Sequence, residues 1–198
     1  MKISELFYSI QGEGWWSGTP MLFIRLSGCS EGCLWCDTKY ALGKEGHIEM
    51  EAEDIFKWAQ KHQGYCNKVC ITGGEPTEQD LSELLDKLSC GGFWIQIETS
   101  GKHWQNCLKR ADWITVSPKG TIDKEVELKA TEFKYVIGPN LFIPQEAYNL
   151  VKSKWKVCLQ PLDNDMEIAR KLAETCKNYG FRLSIQIHKL LWRGAKGR

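Results

Sequence analysis

Short apolar runs alternate along the chain with stretches of helical periodicity, and this alternation predicts the elements. Residues 3–10 read as a first strand, ended by Gln11-Gly12-Glu13-Gly14, whose two glycines permit a tight turn. Residues 21–27 form a second, with Leu22, Ile24 and Leu26 on one face and Phe23, Arg25 and Ser27 on the other. Further strands are expected at 69–72, 93–97, 113–116, 133–137, 155–159 and 182–187, the last running into His188 and Lys189. Helical spacing marks 51–62, with Ile55, Trp58, Ala59 and His62, and then a helix carrying Leu81, Leu84, Leu85 and Leu88 behind a capping pair, Thr77 and Asp80. A short helix reaches Arg110, another spans 144–152 with Pro144 in its first turn, and a third spans 165–179 and is closed by Gly180. The stretch after Gly120, to about Glu132, reads as charged and irregular.

Strands alternating with helices imply right-handed βαβ units and a mostly parallel sheet. The polar motifs fall in one place: the segment after residue 27, Gly73-Gly74-Glu75, Thr99-Ser100, Ser117-Pro118-Lys119, Gln160-Pro161-Leu162-Asp163 and His188 each follow the carboxyl end of a strand. In α/β barrels that rim is the active-site face. With 198 residues the chain is too short for eight full units, which take about 250. The expected architecture is therefore an open, partial (β/α) barrel of about six parallel strands, with residues 1–198 as a single domain. Arg25 stands on an otherwise apolar strand, where a buried guanidinium needs a carboxylate partner.

A formal charge of +1 gives no reason to expect nucleic acid or an anionic membrane as a partner. No apolar stretch approaches the length of a membrane span. The first residues lack an apolar signal region, which argues against export. Nine cysteines is an odd number. Cys66, Cys70, Cys90, Cys107, Cys158 and Cys176 are scattered singly, which fits a reducing cytoplasm with most of them as small buried hydrophobes. The basic, glycine-containing segment 192–198 reads as a frayed tail.

The remaining three cysteines stand together on a glycine-punctuated loop, Gly28-Cys29-Ser30-Glu31-Gly32-Cys33-Leu34-Trp35-Cys36-Asp37-Thr38. Three thiols on one loop point to a metal, because thiolates are soft ligands for iron–sulfur clusters and zinc. A cubane cluster normally takes four cysteines, so three leave one iron open. The alternative is a closed zinc knuckle, with His47, Cys66 or Cys70 as fourth ligand.

The spacing Cys29-x-x-x-Cys33-x-x-Cys36 resembles the signature of the radical S-adenosylmethionine (radical SAM) enzymes. The resemblance implies a 4Fe-4S cluster whose open iron is chelated by SAM, and a 5′-deoxyadenosyl radical formed by one-electron cleavage of SAM. It implies that Trp35, just before the third cysteine, lies beside the adenine, and that Gly74 in Gly73-Gly74-Glu75-Pro76 meets the methionine part of SAM. Asp37, Ser117, Pro118, Lys119, Gln160, Pro161, Leu162 and Asp163 complete the implied SAM site.

Phe7-Tyr8-Ser9-Ile10-Gln11-Gly12-Glu13-Gly14, together with Arg25, Cys36-Asp37-Thr38 and Gln186-Ile187-His188-Lys189, is similar to one branch, the 7-carboxy-7-deazaguanine synthases. This resemblance covers nearly the whole chain. It implies rearrangement of 6-carboxy-5,6,7,8-tetrahydropterin to 7-carboxy-7-deazaguanine with loss of ammonia, in the biosynthesis of queuosine and related deazapurines. It further implies SAM as a reusable cofactor, Mg2+ on Thr38, an external electron donor and a homodimer. The implied substrate site is Ile10, Gln11, Gly12, Glu13, Arg25, Thr72 and His188, with segments 1–20 and 182–198 both contributing. Two other readings stay open: a glycyl-radical enzyme activase, and a non-catalytic zinc-stabilised binding module.

Overall fold

The computed structural model describes residues 1–43, 46–193, 195 and 197; Gly194, Lys196 and Arg198 of the basic tail lie outside the described residues. One sheet organises the chain. Its strands are β1 (Lys2–Ile10), β2 (Pro20–Leu26), β3 (Ile48–Glu49), β4 (Lys68–Gly73), β5 (Trp94–Thr99), β6 (Trp113–Val116), β7 (Glu132–Ile137), β8 (Lys156–Pro161) and β9 (Arg182–Leu183). They lie in the order β3-β1-β2-β4-β5-β6-β7-β8-β9. From β2 to β9 every pairing is parallel, while β1 runs antiparallel to both of its neighbours. Among the described residues β3 and β9 do not pair, so the sheet stays open, as expected for a partial barrel. Six of the parallel strands (β2 and β4 to β8) have four residues or more.

Strand periodicity divides the sheet chemically. Leu22, Ile24, Val69, Ile71, Ile95, Ile97, Ile114, Val116, Phe133, Tyr135, Val157 and Leu159 share one buried cluster. Helices α1 (Ala52–Gln60), α2 (Ser82–Cys90), α3 (Lys124–Lys129), α4 (Gln145–Lys152) and α5 (Met166–Tyr179) each add buried residues to it. The intervening strand positions face the other way, and most are polar: Arg25, Thr72, Gln96, Glu98, Thr115, Glu132, Lys134 and Gln160. A parallel sheet covered on both faces is apolar throughout; here the concave face is not.

The loop joining β1 to β2, residues 11–19, fills that concavity from below. Gln11 and Thr19 close its neck, with Gln11 N donating to the Thr19 carbonyl at 2.7 Å. Trp16 packs edge-on against Trp94 and Trp113, ring centres 5.0 and 5.3 Å away. Trp15 lies beneath Lys156 and Arg182, and its amide donates to Glu132 Oε1 at 2.9 Å. These partners open β5, β6, β8, β9 and β7 respectively, so the loop seals the amino-terminal end of the sheet. Glu132 is fully buried and also accepts from Trp113 Nε1 and Thr115 Oγ1, both at 3.0 Å.

Four expectations need correction. The stretch before Glu132 contains α3, which Asp123 caps by accepting from the amides of Glu125 and Val126; with only Val126 buried, it has no apolar period to read. Thr77 is not a helix cap: it belongs to a 3₁₀ turn capped by Glu75, and α2 begins later, after Asp80 accepts from Ser82 N. The short helix before Arg110 is a 3₁₀ segment, Asn106–Arg110. The last strand stops at Leu183, because Ser184 and Gln186 turn to side-chain partners across the concavity, and helix α6 (Ile187–Trp192) follows.

Replacing Glu132 by alanine would leave Trp113 Nε1, Thr115 Oγ1 and Trp15 N without this acceptor in a buried site. The expected loss is roughly 3–5 kcal/mol in anaerobic urea denaturation. A loss below about 1 kcal/mol would mean that the floor does not depend on this carboxylate.

Candidate active site

Above the floor, the carboxyl ends of the strands surround a cavity of about 250 Å³. Its walls carry the cysteine loop on one side and the segment after β9 on the other.

The loop follows β2. Cys29, Cys33 and Cys36 are half-buried free thiols, and all three line the cavity. They are not drawn to a common centre: among the described residues no three His, Cys, Asp or Glu side chains are gathered to hold one ion. Burial, opposed by an amide from Glu31 and joined by the carboxylates of Glu78, Glu75 and Glu31, pushes the Cys29 thiol above its ordinary range. A bound metal reverses that, since a coordinating thiol is deprotonated outright. Three soft thiolates on one wall suit an iron–sulfur cluster with one iron left for another ligand. The candidate fourth zinc ligands stand elsewhere. Cys66 precedes β4 at the floor end, where its thiol donates to the Pro20 and Lys68 carbonyls. Cys70 is buried against Gln11 Nε2, and His47 lies beside Glu49.

Gly73 and Gly74 do something the sequence reading did not foresee. A Cβ on Gly73 would lie 2.2 Å from the Leu26 carbonyl oxygen, and one on Gly74 would lie 1.9 Å from that of Gly28. Their first role is to let β4 approach the root of the cysteine loop, where Gly74 N and Glu75 N donate to those same carbonyls at 3.0 and 2.8 Å. Glu75 then turns inward. Its buried carboxylate accepts from Thr77 N, Thr77 Oγ1, Thr99 Oγ1 and Ser100 N, tying β4 to β5.

Of the residues implied for SAM, Trp35, Asp37, Gly74, Ser117, Lys119, Gln160, Pro161, Leu162 and Asp163 line the cavity. Pro118 does not; it lines a neighbouring depression with Trp35, Tyr135 and Phe142. The Gln160 side chain is already engaged, accepting from Ser184 Oγ at 2.9 Å, and Ser184 Oγ accepts from Gly14 N at 2.8 Å. Ile10, Gln11, Gly12, Glu13, Arg25, Thr38, Thr72 and His188 all line the cavity too. Among the described residues Arg25 is paired through Nε alone, to Glu5 Oε2 at 3.0 Å, which Tyr40 also holds. That is a one-pronged contact, and it leaves the rest of the guanidinium for the cavity. Thr38 Oγ1 donates to Asp37 Oδ1 at 3.1 Å.

Glu98, Lys134 and Gln186 also line the cavity, and the sequence reading assigned none of them a role there. Glu98 accepts from Gln11 Nε2 at 3.0 Å and Thr72 Oγ1 at 2.9 Å. Lys134 pairs with Glu13 Oε2. Gln186 Nε2 bridges Glu13 Oε1 and Asp37 Oδ2, at 2.7 and 2.8 Å. Lys134 carried the same signal as Arg25, a charge at an inward position of an apolar strand. Burial pulls the Glu13 carboxyl up, but the Lys134 ammonium, His188, and hydrogen bonds from Lys134 and Gln186 together hold it well below the usual carboxylate range. Burial also lowers the His188 imidazole, against the pull of Glu13 and Asp37.

Residues 23–135 match the model of the radical SAM superfamily. The chain is 37% identical to the 7-carboxy-7-deazaguanine synthase of Escherichia coli (strain K12), over 96% of this chain and 97% of that one. It is 32% identical to the synthase of Aquifex aeolicus (strain VF5), over 96% and 92%. The fold superposes on the crystal structure of QueE from Escherichia coli with a TM-score of 0.80, 34% identity and 93% of each chain covered.

Gly74→Ala would push the Gly28 carbonyl, and with it the cysteine loop, out of place. Iron retained after anaerobic reconstitution should fall several-fold. Gly64→Ala, whose added Cβ meets nothing within 4 Å, should retain iron like the parent. Full iron in Gly74→Ala would overturn the packing role given to this glycine.

Proposed function

The chain belongs to the radical SAM superfamily and, within it, to the 7-carboxy-7-deazaguanine synthases, and on that basis we propose that it rearranges 6-carboxy-5,6,7,8-tetrahydropterin to 7-carboxy-7-deazaguanine with loss of ammonia, a step toward queuosine and related deazapurines. Membership brings a 4Fe-4S cluster and SAM. When bound, they would supply the chemistry of hydrogen-atom abstraction and return, directed at C6 of the pterin.

The protein's task is to hold that carbon in place and to exclude competing reactions. Cys29, Cys33 and Cys36 would carry the cluster, with SAM between the cysteine loop and residues 117–119 and 160–163. The free part of the Arg25 guanidinium would take the substrate carboxylate. Gln11, Glu13, Thr72 and His188 would meet the ring, with Glu98 beside them. Such a set separates a pterin from other flat heterocycles, because polar groups left unpaired reject the wrong ring. Thr38, its hydroxyl beside Asp37 and in the same cavity as Arg25, is the candidate ligand of Mg2+, a hard cation that keeps most of its waters. Cytoplasmic location, homodimeric assembly and an external one-electron donor complete the proposal.

The observation that carries this reading is a single cavity with a thiol-bearing wall and a closed floor, lined by Gln11, Glu13 and Arg25. A glycyl-radical activase would have to admit a polypeptide, whereas this cavity suits a small anionic heterocycle.

Anaerobic incubation of the reconstituted protein with SAM, reductant, Mg2+ and the carboxypterin should yield many equivalents of the deazaguanine per SAM consumed. A fully iron-loaded sample that makes none would overturn the substrate assignment. Arg25→Leu should raise KM for the carboxypterin by roughly 30-fold or more, with SAM affinity retained.

A further inference from the structure

Among the described residues, Lys134 is the one strand lysine that lines the cavity, and three carboxylates face it. Glu13 comes from the floor loop, Glu98 from β5 and Glu132 from the start of β7. Ladder pairing on both sides of β7 fixes its backbone, and its carbonyl also accepts from Ser117 Oγ at 3.1 Å. Its ammonium pairs with Glu13 Oε2 while Gln186 holds Oε1. A carboxylate offers about four acceptor sites, so a Glu13 held at one position on each oxygen still has lone pairs for a ligand.

We propose that Lys134 is a positioning residue for substrate recognition: from β7 it holds Glu13 as an aimed carboxylate whose remaining lone pairs accept adjacent N–H groups of the pterin's aminopyrimidinone edge. The proposal rests on the substrate reading above and deepens it. The ammonium is spent on Glu13 and acts through it. Without that cation, a carboxyl buried at this depth takes up a proton, and one of its acceptor atoms becomes a donor that faces the ring's own N–H. The charged and titratable groups around the pair are His188 from α6, Asp37 from the cysteine loop, Glu98, Glu132, Lys119 and the Cys70 and Cys158 thiols.

Steady-state kinetics of the anaerobic holoenzyme test this. Lys134→Met should raise KM for the carboxypterin at neutral pH by roughly 10- to 100-fold, with a smaller change in kcat. KM should then fall as pH rises and the unpaired Glu13 ionises. Lys134→Arg should restore most of the affinity. In a Glu13→Gln background, Lys134→Met should add little, and any pH dependence left there belongs to His188. A near-parental KM in Lys134→Met, a KM flat with pH, or additive losses in the double variant would each overturn the proposal. The state of Glu13 can also be read without turnover. Infrared difference spectra should show a protonated carboxyl at neutral pH in Lys134→Met that is absent from the parent and from Glu13→Gln/Lys134→Met. No such band would overturn the proposal, whatever the substrate. If Lys134→Met does not fold, Lys134→Gln must give the same KM loss and the same band. Failure of the parent to turn over the carboxypterin, with the band present, would instead count against the substrate assignment.

Discussion

An open half-barrel has a concave polar face and no closing strand, so something must fill it. In this chain the filling is the loop between the first two strands. Its tryptophan rings lie under the first residues of β5, β6, β8 and β9, and its amides reach Glu132 at the start of β7 and Ser184. Each edge-on aromatic pair adds about 0.5–1.5 kcal/mol beyond the area it buries, and the loop makes two of them. The same backbone turn that seals the bottom carries Gln11 and Glu13 up into the cavity. Floor and recognition surface are therefore one segment, and neither can shift without the other.

Buried carboxylates divide into two kinds by their donors. Glu75 and Glu132 each accept several protein donors and, among the described residues, form no ion pair; they join strand to strand and loop to strand. Glu13 has a cation and one amide, and Glu98 has two donors, and both face the cavity. A carboxylate with spare lone pairs at a cavity wall is an acceptor waiting for a ligand. Gln186 adds a link, since one amide nitrogen serves both Glu13 and Asp37. The recognition side thereby touches the loop that bears the thiols.

Much of this was legible in the chain. Strand-end polar motifs gave the rim, and the alternation in β2 exposed Arg25 as a charge with a purpose. What escaped had physical reasons. Lys134 sits in a strand bounded by apolar residues and pairs with a residue over a hundred positions away, so no local pattern names its partner. Gly74 looked like a ligand contact because glycine permits any close approach; only the neighbouring carbonyl shows which one comes first. The β9 expectation overran because Ser184 and Gln186 satisfy themselves across the cavity, and strand propensity cannot see that.

The floor loop is part of the folded core even without a ligand. Amide hydrogen exchange measures this directly. Gly14 and Trp15, whose amides donate to Ser184 Oγ and Glu132 Oε1, should be protected to the level of the β5–β7 ladder. If they exchange as fast as the exposed turn at Asn140, the loop does not close the barrel and the account fails.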